Sequence, residues 1–136
     1  KSMVREWRSR YHRVDRVVIA GGFPCQDLTR LNADRQGLSG SRSSLFFEIL
    51  RVDALIREVF VGSDVRRLIE NVSSMSASDR DVISEWLAVE PLLVDAKLCS
   101  WVARPRLWWI EWEPPVDQHL SKVWHDNVWQ LEGQSS

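Results

Sequence analysis

The sequence predicts an α/β domain built on a largely parallel sheet with flanking helices, and three observations carry that expectation. DRVVIAGG (15–22) is an apolar run closed by glycines, the pattern of a buried parallel strand. Leu45, Ile49, Val52, Ile56 and Val59 recur at three- and four-residue steps, the signature of one apolar helix face. Further apolar runs then alternate with helical patterning, and strand–helix–strand–helix–strand order reads as parallel strands joined by right-handed crossovers.

Each element has its own warrant. Val4, Trp7 and Tyr11 stand at near-helical spacing, so residues 3–12 form a short helix. After the strand at 15–22, residues 21–43 hold Gly21, Gly22, Pro24, Asn32, Gly37 and Gly40 with a Ser/Arg cluster, the composition of a long loop. Loops of that length inside a compact domain are either functional or disordered. The apolar repeat gives a helix over 44–60, and RRLIENV (66–72) a second strand. Ser78 precedes a helix with Val82, Ile83, Trp86 and Leu87 on its inward face, and Asp79 and Asp81 suit its positive N-terminal end. Pro91 ends that helix, LLVDAKL (92–98) is a third strand, and RLWWIEW (106–112) a fourth, stopped by Pro114 and Pro115. The remainder to Ser136 is polar with scattered tryptophans and no clear pattern.

Composition bounds the function. A chain of 136 residues with 44% hydrophobic and 27% charged residues fits one soluble domain. The net charge of -1 announces no bulk nucleic-acid binder, so any basic surface is local. Fifteen of the 18 cations are Arg, which suits bidentate phosphate and base contacts, although a GC-rich genome gives the same bias. Cys25 and Cys99 make neither a disulfide framework nor a metal motif, and His12, His119 and His125 show no ligand spacing with them. No apolar stretch is long enough to cross a membrane as a helix, and no signal peptide is recognisable. The expectation is an intracellular, reducing compartment with no metal and no membrane partner. The ends, KSMVREW and GQSS, read as those of a piece of a longer protein.

Three clusters carry chemistry. In GGFPCQD, Cys25 lies just past the carboxyl end of the first strand, where ligands gather in open α/β sheets. Gly21 and Gly22 permit close backbone approach, and Pro24 fixes the direction of the turn. A free cysteine is otherwise most often a small packed hydrophobe. Glu70, followed by Asn71, stands at the end of the second strand and can face the same crevice, or else serve as a solvated acid. In ARPRLWW (103–109), an extended backbone points Arg104 and Arg106 to one side, where a guanidinium pair suits a phosphate or a carbonyl oxygen. Pro105 between them favours an edge or a strand start. Cys99 reads as core, and Trp108, Trp109 and Trp112 as packing rather than base-stacking residues.

Taken in order, Pro-Cys-Gln, Glu-Asn-Val and Arg-x-Arg resemble the DNA cytosine-5 methyltransferase family. The match looks closest to the animal-type de novo enzymes through GGFPCQDLTRLNADRQGL, LFFEILR, IENVSSM, VDAKLCS and RPRLWW. The resemblance covers residues 1–113, leaving 114–136 as a tail that could begin a target-recognition region. It implies a Rossmann-like, partial methyltransferase domain that moves a methyl group from S-adenosyl-L-methionine to C5 of a cytosine flipped out of DNA. By resemblance Cys25 is the nucleophile that adds to C6, and Glu70 meets cytosine N3. Arg104 and Arg106 hold O2 and a nearby phosphate. Gly22 and Pro24 border the cofactor, while Gln26, Arg30 and Asn71 touch the substrate. A nuclear location follows if the source is eukaryotic.

The chain also departs from the family pattern. No glycine-rich cofactor motif lies upstream of Cys25, Val102 replaces the Gln often found two residues before the first arginine, and the family's closing C-terminal helix is not evident. The isolated chain is therefore expected to bind S-adenosylmethionine poorly. Two other readings stay open. One is a cytosine-5 methyltransferase acting on tRNA. The other is a truncated, non-catalytic module that binds DNA or a full-length or accessory methyltransferase subunit.

Overall fold

A computed structural model describes residues 2–23, 45–114 and 118–133. In chain order the elements are α1 (Ser2–Arg10), β1 (Arg16–Gly22), α2 (Leu45–Val59), β2 (Asp64–Val72), α3 (Ala77–Leu87), β3 (Pro91–Asp95), a 3-10 turn (Ala96–Leu98), β4 (Pro105–Ile110), β5 (Leu120–His125) and β6 (Val128–Gly133). The result is a mixed α/β arrangement around one six-stranded sheet, ordered β1-β2-β4-β3-β6-β5.

Strand pairing corrects the expectation of a largely parallel sheet. β1 pairs with β2 in parallel, as does β3 with β6, whereas β4 runs against both β2 and β3, and β5 against β6. Four strands share one direction, yet three of the five neighbouring pairs are antiparallel. The cause is the connection at 96–104, too short for a crossover, which must turn β4 back beside β3. β4 thereby inserts between β2 and β3 and occupies the middle of the sheet.

The helices pack on one sheet face. Residues Val17 and Ile19 of β1, Val65 and Ile69 of β2, and Leu107 and Trp109 of β4 belong to the two apolar clusters that also hold Val4, Phe46, Phe47, Leu55, Ile56, Val82, Ile83 and Leu87. The exposed–half-buried alternation along β1 follows from this one-sided cover, and it contradicts the doubly buried strand read from DRVVIAGG. Trp109 is fully buried, and its indole Nε1 donates to Ser84 Oγ at 3.0 Å, so the ring gives up no hydrogen bond on burial.

Charged groups fasten the end of the sheet where β1, β2 and β3 begin. Arg67 of β2 pairs with Glu111 just past β4, lies 3.6 Å from Asp53 of α2, and donates to the Leu87 carbonyl at 3.0 Å. Arg57 joins the same group, 2.8 Å from Asp53 and 3.7 Å from Glu111. At the start of the strands Arg66 and Arg16 both hydrogen-bond Asp64, at 2.6 and 3.0 Å, and hold its carboxyl below the ordinary aspartate range.

Local starts and stops differ from expectation in instructive ways. Ser76, not Ser78, caps α3, its hydroxyl accepting from the Asp79 amide at 3.1 Å; the helix closes on Ala88 in the left-handed region at φ 56°. The third strand ends at Asp95 because that side chain caps the 3-10 turn that follows. The turn carries Cys99 outward, so Cys99 is exposed rather than core. The 118–133 stretch, without visible pattern in the sequence, is a hairpin turning on Asp126 and Asn127 at φ 51° and 60°, the two left-handed residues a tight hairpin turn requires.

Candidate functional site

β1 and β2 end side by side, with Gly22 opposite Glu70 in the ladder. Across β2, Glu70 stands opposite Trp108 of β4, and Val72 opposite Arg106. Because opposed residues share a face, Gly22, Glu70, Trp108 and Arg106 all lie on the sheet face away from the helices. Val94 of β3, opposite Arg106, completes the row.

The Glu70 carboxylate is held between two strands. Its Oε1 lies 3.1 Å from Arg106 Nε, and both side chains are about seven-tenths buried. A Cβ placed on Gly22 would come within 3.0 Å of Glu70 Oε2 and 3.2 Å of the Glu70 carbonyl. A side chain at residue 22 would crowd the acid in that position. Oε1 is thus turned to the guanidinium of β4 and Oε2 to the glycine end of β1.

Beside this pair opens a cavity of about 300 Å³ lined by Glu70, Val94, Ala96, Arg104, Arg106 and Trp108. Larger recesses among the described residues, of about 570 Å³ at the other end of the sheet, 660 Å³ against α1 and 390 Å³ on α3, contain none of the predicted residues. Arg104 precedes β4, and its amide donates to Asp95 Oδ1 at 2.7 Å, while the Lys97 amide reaches the same oxygen at 3.0 Å. These two amides, Lys97 foremost, hold the Asp95 carboxyl below its ordinary value. One carboxylate thereby closes the base of the 96–104 loop and fixes the backbone from which Arg104 projects. Pro105 takes the strand-start position its missing N–H favours.

Of the residues predicted to act together, the structure gathers Gly22, Glu70, Arg104 and Arg106. Asn71 it sends to the other face. Its side chain is buried, with Nδ2 donating to the Phe23 carbonyl at 3.1 Å and Oδ1 accepting from the Val72 amide at 2.7 Å. That placement ties down the chain where it leaves β1, as alternation along β2 requires once Glu70 faces the cavity. Pro24, Cys25, Gln26 and Arg30 lie outside the described residues. Trp108, read as packing, is a cavity wall, and the sequence could have shown this, since it sits two positions after Arg106 on the same strand.

Among the described residues no helix is long and apolar enough to cross a membrane, and no group of three His, Cys, Asp or Glu is placed to hold a metal ion. No protein-family model matches the chain.

Proposed function

We propose that the chain acts on a nucleobase at this cavity, by reversible addition of a thiolate to a pyrimidine. More particularly, it is the catalytic portion of a DNA cytosine-5 methyltransferase. The observation that carries this reading is the Glu70 carboxylate. It is paired with Arg106 at 3.1 Å and faces Gly22 at the end of the strand that leads into Phe23-Pro24-Cys25. A carboxyl group and two guanidinium-bearing residues on one small cavity match the polar edge of cytosine, whose N3 and O2 accept or share protons.

The residues divide the work as follows. The Cys25 thiolate adds to C6, and the electron pair of the C5–C6 double bond moves to C5. Glu70, entering as the carboxylic acid, gives its proton to N3, so that the negative charge which addition throws onto the ring is neutralised, and takes the proton back on elimination. Arg106 keeps Glu70 in place and, with Arg104, meets O2 and the phosphate. Trp108 and Val94 close the apolar side of the cavity. The base must leave the duplex to enter, at a cost of a few kcal/mol. Elimination reverses the first step, restoring the thiolate and the C5–C6 double bond.

S-adenosylmethionine is the donor the family resemblance implies. Of its two assigned residues only Gly22 is described, and the space beside Gly22 is bounded by Glu70. A second reading is a non-catalytic module that binds an extruded base without completing methyl transfer.

Exchange of the cytosine C5 hydrogen in D2O tests the chemistry without the donor. Addition at C6 lets C5 take a deuteron, and loss of the original proton followed by thiolate expulsion leaves 5-deuterocytosine. We expect exchange in DNA with an unpaired cytosine, none with Cys25→Ser, and a rate about 10²- to 10⁴-fold lower with Glu70→Gln. Exchange in RNA alone would move the substrate to RNA, and absence of exchange in both would leave only the binding module.

A further inference from the structure

The loop between the 3-10 turn and β4 presents an aromatic side chain with nothing to pack on. Trp101 is fully exposed, at 103% of its reference area, and Val102 beside it is 67% exposed. Burying an indole removes more apolar surface from water than almost any other side chain, so a protruding one marks a contact surface. The loop is nevertheless closely tied. Asp95 Oδ1 accepts from the amides of Lys97 and Arg104 at its two ends, and the Cys99 amide bonds back to the Ala96 carbonyl at 3.0 Å. Ser100 Oγ is 3.3 Å from both the amide nitrogen and the carbonyl oxygen of Val102. The indole is therefore offered from an ordered backbone, which lowers the entropy lost on contact.

Its surroundings select the partner. Lys97 and Arg104 flank the loop, both exposed, and neither makes an ion pair among the described residues. The two carboxylates nearby are already engaged: Asp95 by the loop amides and Glu70 by Arg106. The loop's own root, Ala96 and Arg104, lines the 300 Å³ cavity. An exposed indole on a loop flanked in sequence by two cations, and whose root lines a base-sized cavity, fits a nucleic-acid strand whose bases are unstacked.

We propose that Trp101 is a stacking platform for a base neighbouring the one that enters the cavity, with Lys97 and Arg104 on the adjoining phosphates. The inference rests on the reading of the cavity as a nucleobase site, but it concerns strand binding and not the chemistry. It is tested by fluorescence anisotropy of an end-labelled DNA duplex with one bulged cytosine. The titration uses the full chain and its Trp101→Ala and Trp101→Phe variants, at low and moderate salt. Because the indole supports nothing in the fold, both variants keep the wild-type melting temperature. Stacking predicts about 5- to 150-fold weaker binding for Trp101→Ala, most of it recovered in Trp101→Phe, with an unchanged salt slope. Equal affinity of wild type and Trp101→Ala overturns the proposal while leaving the cavity reading intact. Failure of the wild type to bind any such probe overturns both. Trp101-dependent binding without C5 exchange upholds the platform and removes the chemistry.

Discussion

Replacing Arg67 by methionine should unlock the charged cluster at the far end of the sheet. Arg67 is the centre of that cluster. It pairs with Glu111, stands 3.6 Å from Asp53 and donates to the Leu87 carbonyl at 3.0 Å. Side-chain exposures are 14% for Arg67, 11% for Asp53 and 18% for Glu111, so solvent screens these charges little. Methionine fills comparable volume but leaves two carboxylates facing each other with Arg57 as their remaining cation, itself 43% exposed. Removing one partner from a buried ion pair costs about 3–5 kcal/mol. The partial compensation by Arg57 argues for the lower end, about 3 kcal/mol. With a urea m-value of about 2 kcal/mol/M, the unfolding midpoint read by tryptophan fluorescence falls by about 1.5 M. Adding Glu111→Leu to Arg67→Met should restore at least half of the loss, because the stranded charge is what costs most. A midpoint within about 0.3 M of wild type, or a double variant no better than the sum of its singles, would refute the reasoning.

Two further outcomes test the site. Gly22→Ala puts a methyl group 3.0 Å from Glu70 Oε2 and 3.2 Å from its carbonyl, so the carboxylate must give by a few tenths of an ångström against its ion pair with Arg106. C5 exchange should slow about 10- to 100-fold while thermal melting shows an intact fold, and an unchanged rate would show that Glu70 need not sit there. Asp95 gives a pH signature. Its folded-state value lies below the ordinary 3.8, so it stabilises the loop above that pH and loses this contribution as pH falls through the folded value. The Lys97 and Arg104 amide resonances should therefore titrate together with a midpoint below 3.8, and a midpoint at or above it would disconnect the carboxylate from the loop.

Much of the framework was legible because it depends on local periodicity. The repeat from Leu45 to Val59 located α2 to within a residue or two, and Val82, Ile83 and Leu87 turned inward as spaced. Ser78 misled because two serines compete there, and the amide of Asp79 lies within reach of the earlier one. Strand order was not legible. Nothing local in RLWWIEW says that it will enter between two older strands rather than extend the sheet. The hairpin at 120–133 carried a readable signal, Asp126-Asn127 between alternating apolar residues, masked by its polar surroundings.

At the site, residue type and strand position predicted that Glu70, Arg104 and Arg106 could converge, and they line one cavity. Sidedness was the part the motif concealed. Glu70 and Asn71 are adjacent in sequence, but a strand sends neighbours to opposite faces, so one reaches the cavity and the other ties down Phe23. Trp101 drew no notice in the sequence, since a tryptophan's exposure depends on the turn that carries it.

The late arrival of β4 in mid-sheet has a kinetic consequence. β2 and β3 precede it in the chain but cannot join one sheet until β4, which lies between them, has formed. The β3–β4 hairpin, whose connection is pinned by Asp95, involves only local contacts and can assemble first. Its docking onto β2 is a long-range step, and until then the inner edge of β2 is open to mispairing. Refolding of this chain should thus be limited by the insertion of a preformed ribbon, and a weakened Asp95 staple would slow the approach to the native state as well as loosen it.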